Sequence, residues 1–446
     1  MNRYSCLLLV LLSAFQIVAH AQKNNLRTSI DCHYFYGGEE KIITINNAIN
    51  SKDKNDPIVT QVSDYYRTEI QLVGSLKNKL RFQIYSTENN TNRIIHEGLY
   101  TLSNNQSAAE YGFTSLQKIY EPFSDAEYKY YCEYSRKQKT NHQKIEIKVD
   151  HSITAWKHPG LNNKQHPEVR VNFVGDVLLA WGADKYISQK KDPFLDWQKI
   201  FSEADFNIAN LESPYTLSDS KIPLKPIVLK ANPDHLQFIQ KYFNAVSLAN
   251  NHTGDYGETG FIDTLNNLKK YNVSYFGGGF NKRQAHQPYW IYKNNIKIAI
   301  IGLNHYKPRS FSAGHSRPGI AWADEDDIIE NIKQARKDGA HIVIPFMHWG
   351  WESEVTPSVD QMRLARLMMQ NGADAIVGAH PHVTQGVSFI EGKPIIWSLG
   401  NFVFDGYDAG PERQGWLVQM AISSAHVNSI KIIKANIDDM GIPRKE

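Results

Sequence analysis

This sequence of 446 residues lacks the features that mark several common classes of protein. It has no strong excess of one charge, because 49 Lys and Arg face 46 Asp and Glu and the formal net charge is +3. A dedicated nucleic-acid-binding protein usually carries a basic excess, so we expect no nucleic-acid partner. Three cysteines are too few for a small secreted disulfide scaffold. The 41% of hydrophobic residues can bury a large core, which excludes a wholly disordered chain.

Long apolar runs are also scarce. After the N-terminus, no stretch approaches the ~18 apolar residues that a membrane-spanning helix needs. Residues 1–21 have the pattern of a secretory signal peptide: Arg3 supplies the positive charge, Leu7–Val18 the apolar segment and Ala19–Ala21 a small-x-small cleavage site. We therefore expect cleavage near Ala21 and export to the periplasm, the cell surface or the medium. A membrane anchor is the alternative, which the short apolar run disfavours.

Removal of the signal peptide would leave two cysteines, Cys32 and Cys132. They would either pair as a disulfide or remain as two buried free thiols. Export to an oxidising compartment favours the disulfide.

Residues 22–165 have the spacing of β-strands. Segments such as Lys79–Tyr85, Glu127–Tyr134 and Lys144–Val149 mostly alternate apolar with polar residues, which is the period of half-buried antiparallel strands. The pattern predicts a small, sandwich-like antiparallel β domain with an accessory or binding role, closed by a linker at His158–Pro167. Its abundant Tyr could line a glycan surface, but strand propensity explains them equally well.

Residues 166–446 combine short apolar runs with segments of helical spacing. Helices are predicted over Gly257–Tyr271, Asp324–Lys337 and Ser358–Asn371. Strands that alternate with helices predict a layered α/β domain. The predicted strands are Val169–Val174, Asn207–Asn210, Ala245–Ala249, Ile296–Leu303, His341–Phe346, Ala375–Val377, Pro394–Leu399, Gly415–Ile422 and Val427–Ile437.

Polar side chains recur directly after the apolar runs of this region. Because the carboxyl ends of strands line the ligand crevice of α/β sheets, we expect these side chains to form one polar pocket. Carboxylates, amide oxygens and imidazoles together suit Zn, Mn or Fe better than Ca²⁺ alone, and a pair of ions is feasible. The absence of cysteine from the set argues against a structural zinc site. The residues are Asp176, Asn210, Glu212, Asn250, Asn251, His252, His348, His380, His382 and Asn401.

Each of these motifs, taken alone, also has a purely structural explanation. Asn210 and Glu212 could cap a helix, and His348 could be a core histidine with satisfied hydrogen bonds. The His380–His382 segment, with a rigid proline between two imidazoles, is the hardest to explain in that way. The chain has no P-loop, dinucleotide-binding fingerprint or nucleophile elbow, so the polar strand ends carry the candidate chemistry.

The series of motifs resembles the CapA family of capsule or poly-γ-glutamate synthesis proteins, a branch of the calcineurin-like metallophosphatase superfamily. The resemblance covers about residues 169–407. It implies a metallophosphatase-like α/β-β/α layered domain with mixed sheets. The motifs are GDVLLA, NLESP, SLANNHTGDYG, HWGWE, GAHPHVTQG and SLGNFVFD.

The resemblance implies metal ligands and one catalytic residue. His252 would act as an acid or stabilise the transition state, and Glu212 would take the place of the usual bridging Asp. Asn251 would bind through its amide oxygen. The remaining ligands would be Asp176 and His382 for a first metal, and His348 and His380, beside Asn251, for a second.

The chain departs from the superfamily at the first motif, which is normally Asp-x-His. Here Asp176 is followed by Val177 and Leu178, so the first metal loses one imidazole. The resemblance therefore implies one or two divalent ions, of Mn, Zn or Fe. It also places Glu352 and Asn401 near the site without a defined role.

These implications favour an exported, metal-dependent hydrolase with a phosphoesterase-like site that acts in cell-surface polymer synthesis or processing. Its partners would be an anionic cell-surface polymer or a phosphorylated substrate, and a membrane synthase complex. The alternative is a non-catalytic polymer-binding or assembly factor of a capsule synthase complex. A third, less favoured hypothesis is a glycan-binding protein that acts through residues 22–165. Candidates for holding an anionic substrate are Lys230, Arg309 and Arg317, although the ordinary role of surface cations is the favoured explanation for them.

Overall fold

The computed structural model describes residues 30–36, 39–45, 58–61, 66–73, 79–86, 93–101, 117–121, 126–134, 147–160, 167–222, 225, 227–407 and 409–445. The predicted signal peptide at residues 1–21 lies outside this set. The chain divides into two compact units, Met1–Lys144 and Ile145–Glu446. Among the described residues, no helix has the length and apolar composition that a bilayer crossing requires.

The first unit consists of two four-stranded antiparallel sheets, in the orders β2-β1-β8-β7 and β3-β4-β5-β6. Its strands are β1 (Ile30–Tyr36), β2 (Glu39–Ile45), β3 (Ile58–Gln61), β4 (Tyr66–Val73), β5 (Lys79–Ser86), β6 (Arg93–Thr101), β7 (Gln117–Glu121) and β8 (Ala126–Tyr134). Alternate residues of both sheets enter one core, where the rings of Phe82 and Tyr130 stack with centroids 3.7 Å apart. The predicted small antiparallel β domain is confirmed.

Cys32 and Cys132 form a disulfide in the core of this unit. They lie directly opposite each other on the antiparallel strands β1 and β8, with Cα atoms 4.1 Å apart. Of the two alternatives that the sequence leaves open, the structure contains the disulfide.

The second unit contains two mixed sheets and a short two-stranded ribbon. The nine-stranded sheet has the order β13-β12-β11-β10-β23-β24-β25, with β22 beside β10 and β9 beside β24, and the six-stranded sheet has the order β15-β16-β18-β19-β21-β20. The strands are β9 (Ala155–Lys157), β10 (Val169–Val177), β11 (Phe206–Leu211), β12 (Ala245–Ser247), β13 (Ser274–Phe276), β14 (Gly278–Gly279), β15 (Tyr289–Lys293), β16 (Ile296–Asn304), β17 (Gly319–Ile320), β18 (Ile342–His348), β19 (Ile376–Ala379), β20 (Val387–Ile390), β21 (Lys393–Ile396), β22 (Asn401–Val403), β23 (Gln414–Ile422), β24 (Val427–Ile437) and β25 (Pro443–Lys445).

The two sheets pack face to face and helices cover their outer faces. Phe173 of β10 and Phe346 of β18 meet edge to face between the sheets, with ring centroids 6.0 Å apart. Val174, the next residue of β10, faces the opposite way into a core shared with helices, as strand alternation requires. The result is an α/β/β/α arrangement, and the predicted layered α/β domain with mixed sheets is confirmed.

The helices form where an apolar stripe recurs at helical spacing. The last of them begins at a capping box. The Ser358 side chain accepts from the backbone N–H of Gln361, and the Gln361 side chain accepts from the backbone N–H of Ser358. The helices are α1 (Trp181–Ser188), α2 (Gln198–Ser202), α3 (Leu236–Tyr242), α4 (Gly257–Lys270), α5 (Lys282–Ala285), α6 (Glu325–Lys337) and α7 (Val359–Gln370).

The boundary between the units falls earlier than the predicted one. It lies at Lys144/Ile145, whereas the sequence predicts an accessory domain that extends to residue 165. The segment after residue 145 belongs to the second unit, because β9 pairs with β24 and Asp150 bridges to Val387. The strand predicted over 144–149 is wrong for its described part, since residues 147–149 have no strand structure.

Candidate metal centre

The site begins inside β10, at an irregularity in its pairing. The register with β11 shifts between Val174 and Asp176, so Gly175 is left out of the ladder. A Cβ atom on Gly175 would lie 1.8 Å from the carbonyl oxygen of Gly400, so only glycine fits there. The sequence places Asp176 beyond the end of the strand, whereas the structure places it within the strand, fully buried.

The next two strands of the same sheet deliver the amide and carboxylate groups. Glu212 directly follows β11 and is fully buried. Asn250 and Asn251 follow β12, and the two amides have different surroundings. Asn250 Oδ1 accepts from the backbone N–H groups of His252 and Thr253 at 3.1 and 2.9 Å, so Asn250 shapes the loop. Asn251 Oδ1 lies 2.8 Å from His348 Nε2 and belongs to the ligand cluster.

The second sheet contributes the imidazoles. His348 is the last residue of β18, and His380 and His382 follow β19. His380 and His382 have backbone φ angles of 99° and 59°, a region that residues other than glycine rarely adopt. Strained backbone of this kind clusters at functional sites, where the surrounding structure holds it.

The ligand atoms of these residues form two overlapping groups. Asp176, Glu212 and His348 offer one group, and Glu212, His380 and His382 the other, with the atoms of each group within 4.8 Å of one another. Glu212 is common to both, which is the arrangement of a bridging ligand. The groups divide the histidines differently from the two sets that the family resemblance implies, since His380 falls with His382. His380 Nδ1 nevertheless also lies 3.1 Å from His348 Nε2.

The donor set fits a divalent cation. Among the described residues, neither Glu212 Oε1 nor His380 Nε2 has a hydrogen-bond partner, although both atoms are buried. A buried polar atom without a partner is costly and needs an explanation such as a bound ion. Carboxylate, imidazole and amide ligands suit Zn, Mn or Fe.

Burial shifts the pKa of the carboxylates and of two histidines in the cluster, and a cation would offset the shift of the carboxylates. Burial, followed by the nearby Asp176 carboxylate, holds the pKa of Glu212 well above its ordinary value. Burial also raises the pKa of Asp176 and lowers the pKa of His348 and His380, the two histidines well below their ordinary range. Two buried carboxylates repel each other, and a bound cation would offset that repulsion.

His252 lies beside the cluster, with only 5% of its surface exposed. Its Nδ1 atom lies 2.7 Å from Asp255 Oδ2, and Lys225 forms an ion pair with the other oxygen of Asp255. Lys225 and Asp255 are absent from the residues that the sequence predicts. Asp255 had a local signal, since it follows His252 by three residues, but nothing in the sequence connects Lys225 to that loop.

The two residues without a predicted role lie in different places. Asn401 is buried and its Oδ1 atom lies 2.8 Å from His382 Nδ1, while its Nδ2 atom donates to the carbonyl of Glu412 at 2.9 Å. Asn401 therefore orients His382. Glu352 is exposed. The pKa of Tyr306 is raised first by the burial of Tyr306 itself and then by the charge of Glu352. The Tyr306 ring lies against the His380 ring, with centroids 3.8 Å apart.

The candidate anion-binding cations have other partners. Lys230 pairs with Asp219 at 3.0 Å, and Arg309 pairs with Asp324 at 2.7 Å. The guanidinium of Arg317 donates to the carbonyl of Ser312 at 2.8 Å. None of these three contacts joins them to the ligand cluster, whereas Lys225 donates to the carbonyl oxygen of Asn251.

Fold and site together define a layered α/β protein with a buried candidate centre for one or two divalent cations. The chain belongs to the family described as bacterial capsule synthesis protein PGA_cap, whose model matches residues 170–406, more than half of the chain. The family resemblance that the motifs predict is thereby confirmed.

Two relatives and one solved structure illustrate the similarity. The chain is 35% identical over 250 residues to the PGA biosynthesis protein CapA of Bacillus subtilis (strain 168), covering 55% of this chain and 63% of that protein, less than two thirds of its length. It is 29% identical over 307 residues to the capsule biosynthesis protein CapA of Bacillus anthracis, covering 64% of this chain and 71% of that protein. The NAD nucleotidase of Haemophilus influenzae aligns with a TM-score of 0.37 and 13% identity, over 64% of this chain and 54% of that one.

Proposed function

We propose that this protein is an exported accessory protein of capsule or poly-γ-glutamate synthesis, and that its metal centre hydrolyses phosphate esters. The names of its relatives in the two Bacillus species support the first part. The buried cluster of carboxylate and imidazole ligands supports the second, because such ligands hold the divalent cations that assist phosphate-ester hydrolysis.

One observation carries the proposed hydrolytic role: Glu212 lies in both ligand groups while its Oε1 atom has no hydrogen-bond partner in the described structure. Divalent cations in such a site supply Lewis acidity that stabilises charge on phosphoryl oxygens. Asp176, Glu212, Asn251 and the histidines would hold the cations.

Proton transfer to the leaving group would be carried out by a side chain of the protein. With Nδ1 bonded to Asp255, the His252 imidazole has Nε2 as its second titratable atom. His252 would give a proton from Nε2 to the leaving oxygen, as a general acid. Burial first of all lowers the pKa of His252, so the protonated imidazole would be a stronger acid than an exposed histidine.

The test is hydrolysis of a panel of phosphate mono- and diesters by the mature protein supplied with Mn²⁺ or Zn²⁺. His252→Ala should lower turnover by about 100-fold or more while retaining metal, because general acid catalysis contributes that much. His382→Ala should lower the metal content as well. Asn428→Ala is a matched control, since Asn428 is buried and bonds Glu168 and Ser423 instead. Hydrolysis that neither histidine substitution changes would overturn the assignment.

A second candidate function, a non-catalytic assembly factor, has one specific observation in its favour. Leu178 stands where the superfamily motif has a histidine, and it is buried in an apolar cluster with Leu229 and Phe404. Tight binding of an acidic polymer in the presence of a chelator, without turnover of any ester, would favour this candidate.

A further inference from the structure

One part of the outer face of the nine-stranded sheet is open to solvent, beyond the part that the helices cover. On β10, β23 and β24 respectively, Val174, Leu417 and Ile433 pack in the core that the sheet shares with helices. Toward the other end of the same face, Arg170 of β10 and Lys431 of β24 are exposed. Because alternate residues of a strand share a face, the apolar surface under the helices continues into a polar surface.

The pairing of the strands arranges residues of this open part in a row. Arg170 of β10 lies opposite Ala421 of β23, which lies opposite Ser429 of β24. Ser429 in turn lies opposite Lys157 of β9, and Lys431 is on the same face of β24 as Ser429. Two cations therefore stand at the ends of the row, and the small side chains of Ala421 and Ser429 form its floor.

These residues line a groove with a volume of about 630 Å³. Neighbouring strands of a sheet are about 4.8 Å apart, so the Cα atoms of Arg170 and Lys157 are separated by about 14 Å. That length exceeds a small anion and corresponds to about four residues of an extended polypeptide. The dimensions of the groove therefore favour a segment of a polymer as its ligand.

The groove has an excess of positive charge. Within the described part of the chain, the side chains of Lys157, Arg170 and Lys431 form no ion pair and no hydrogen bond. Among the described residues that line the groove, the acidic one is Glu168, and its carboxylate accepts from an amide. Asp205 accepts from the backbone N–H of Arg170 but is paired with a lysine of β15. Three cations are thus available to an acidic ligand.

We propose that this groove is a second binding site, which holds a segment of an acidic polymer through its carboxylates. Repeated negative charges along an extended chain complement cations that stand on three strands. A concave groove suits a chain better than the flat surface of a bilayer. Nucleic acids fit less well, because their binding relies on many phosphate contacts and the groove offers three cations.

The groove is separate from the metal centre. Arg170 is near the start of β10 and Asp176 is near its end, about 20 Å further along the strand. The proposal therefore goes beyond the proposed function, since binding in the groove requires no turnover at the centre.

The first test measures the binding of a fluorescein-labelled oligoglutamate to the purified protein by fluorescence anisotropy. The triple variant Lys157→Gln/Arg170→Gln/Lys431→Gln should bind about 10- to 100-fold more weakly than the wild type, because each exposed ion pair contributes modestly. Binding by the wild type should weaken as the salt concentration rises. The melting temperature and the metal content should not change, because the three side chains are exposed.

The matched control removes the same charge elsewhere. Lys269→Gln/Lys333→Gln/Lys337→Gln changes exposed lysines of α4 and α6, which do not line the groove. Its affinity for the oligoglutamate should stay within about 2-fold of the wild type, since salt screens charges that are distant from the ligand.

Lysine acetylation followed by mass spectrometry locates the bound oligoglutamate. Lys157 and Lys431 should react more slowly when the oligoglutamate is bound, because the ligand would cover their ammonium groups. Lys333 and Lys337 should react at an unchanged rate.

Several results would overturn the proposal: no binding at physiological ionic strength, equal weakening in the two triple variants, or no protection of Lys157 and Lys431. Tighter binding of a single-stranded oligonucleotide or of phosphatidylglycerol vesicles through the same cations would also overturn it. The proposed function fails separately. A protein that binds oligoglutamate in the groove but hydrolyses no ester would contradict the phosphoesterase role alone.

Discussion

Glu212 concentrates the electrostatic cost of the site in one residue. In the metal-free protein it is buried beside Asp176, and its pKa is raised by burial and by that second carboxylate. A carboxyl group with a raised folded-state pKa contributes stability at low pH that is lost as the pH rises through the folded value. His348 and His380, whose pKa values are lowered by burial, act in the other direction and cost stability as the pH falls below the ordinary range of histidine.

Replacement of Glu212 should therefore have opposite effects with and without metal. In a chelator at pH 8, we expect Glu212→Gln to be more stable than the wild type by roughly 1–3 kcal/mol, since a buried, unpaired charge is removed. With saturating Mn²⁺ or Zn²⁺ the order should reverse, because ligand at 100 times its Kd stabilises the wild type by about 2.7 kcal/mol. Thermal unfolding between pH 5 and 8 measures both effects. A wild type that is more stable than the variant in chelator at pH 8 would contradict the account.

The candidate site shows what a sequence can and cannot reveal about single residues. In the sequence its ligands follow apolar runs, so their type and order were predictable from the chain. The different roles of Asn250 and Asn251 were not predictable, because they depend on which of the two amides the loop turns toward the ligand cluster. Lys225 was not predictable either, since its partners lie 26 and 30 residues away.

At the scale of elements, long strands with a clear apolar pattern were the easiest to predict. The apolar run Ile296–Leu303 corresponds to β16, Ile296–Asn304, and Val427–Ile437 corresponds to β24 with the same bounds. β9 was missed because it lies within a polar segment and is held by pairing with a strand some 270 residues further along the chain. Such pairing leaves no local periodicity.

The capping box of α7 offers a test at this scale. Ser358→Ala removes an acceptor for the helix N-terminus, so we expect a loss of about 1 kcal/mol in the free energy of unfolding. Metal binding should be unchanged. Urea denaturation measures the loss, with Ser202→Ala as a control, because the Ser202 hydroxyl donates to the Lys199 carbonyl one turn back in α2 and does not cap the start of a helix. Equal stability of the two variants would show that the cap contributes nothing.

At the scale of the whole molecule, the first unit depends on a cross-link that the second lacks among its described residues. The disulfide closes a loop with a sequence separation of 100 residues. In the chain-entropy model a loop of that length contributes about 4.7 kcal/mol.

The double variant Cys32→Ser/Cys132→Ser should therefore destabilise the first unit by about 4–5 kcal/mol and leave the metal content of the protein unchanged. Protease sensitivity of residues 22–144, followed by mass spectrometry, reports on the first unit by itself. Loss of metal from the double variant would show that the centre depends on the first unit, contrary to the account.

The central claim is that residues from both sheets of the second unit hold divalent cations together. Elemental analysis of the purified protein, combined with its protein concentration, tests this most directly. The account predicts one to two Mn, Zn or Fe ions per chain, reduced by Glu212→Gln and by His382→Ala but not by Asn428→Ala. Protein that carries no such ion, and that takes none up when Mn²⁺ or Zn²⁺ is added after treatment with chelator, would contradict it.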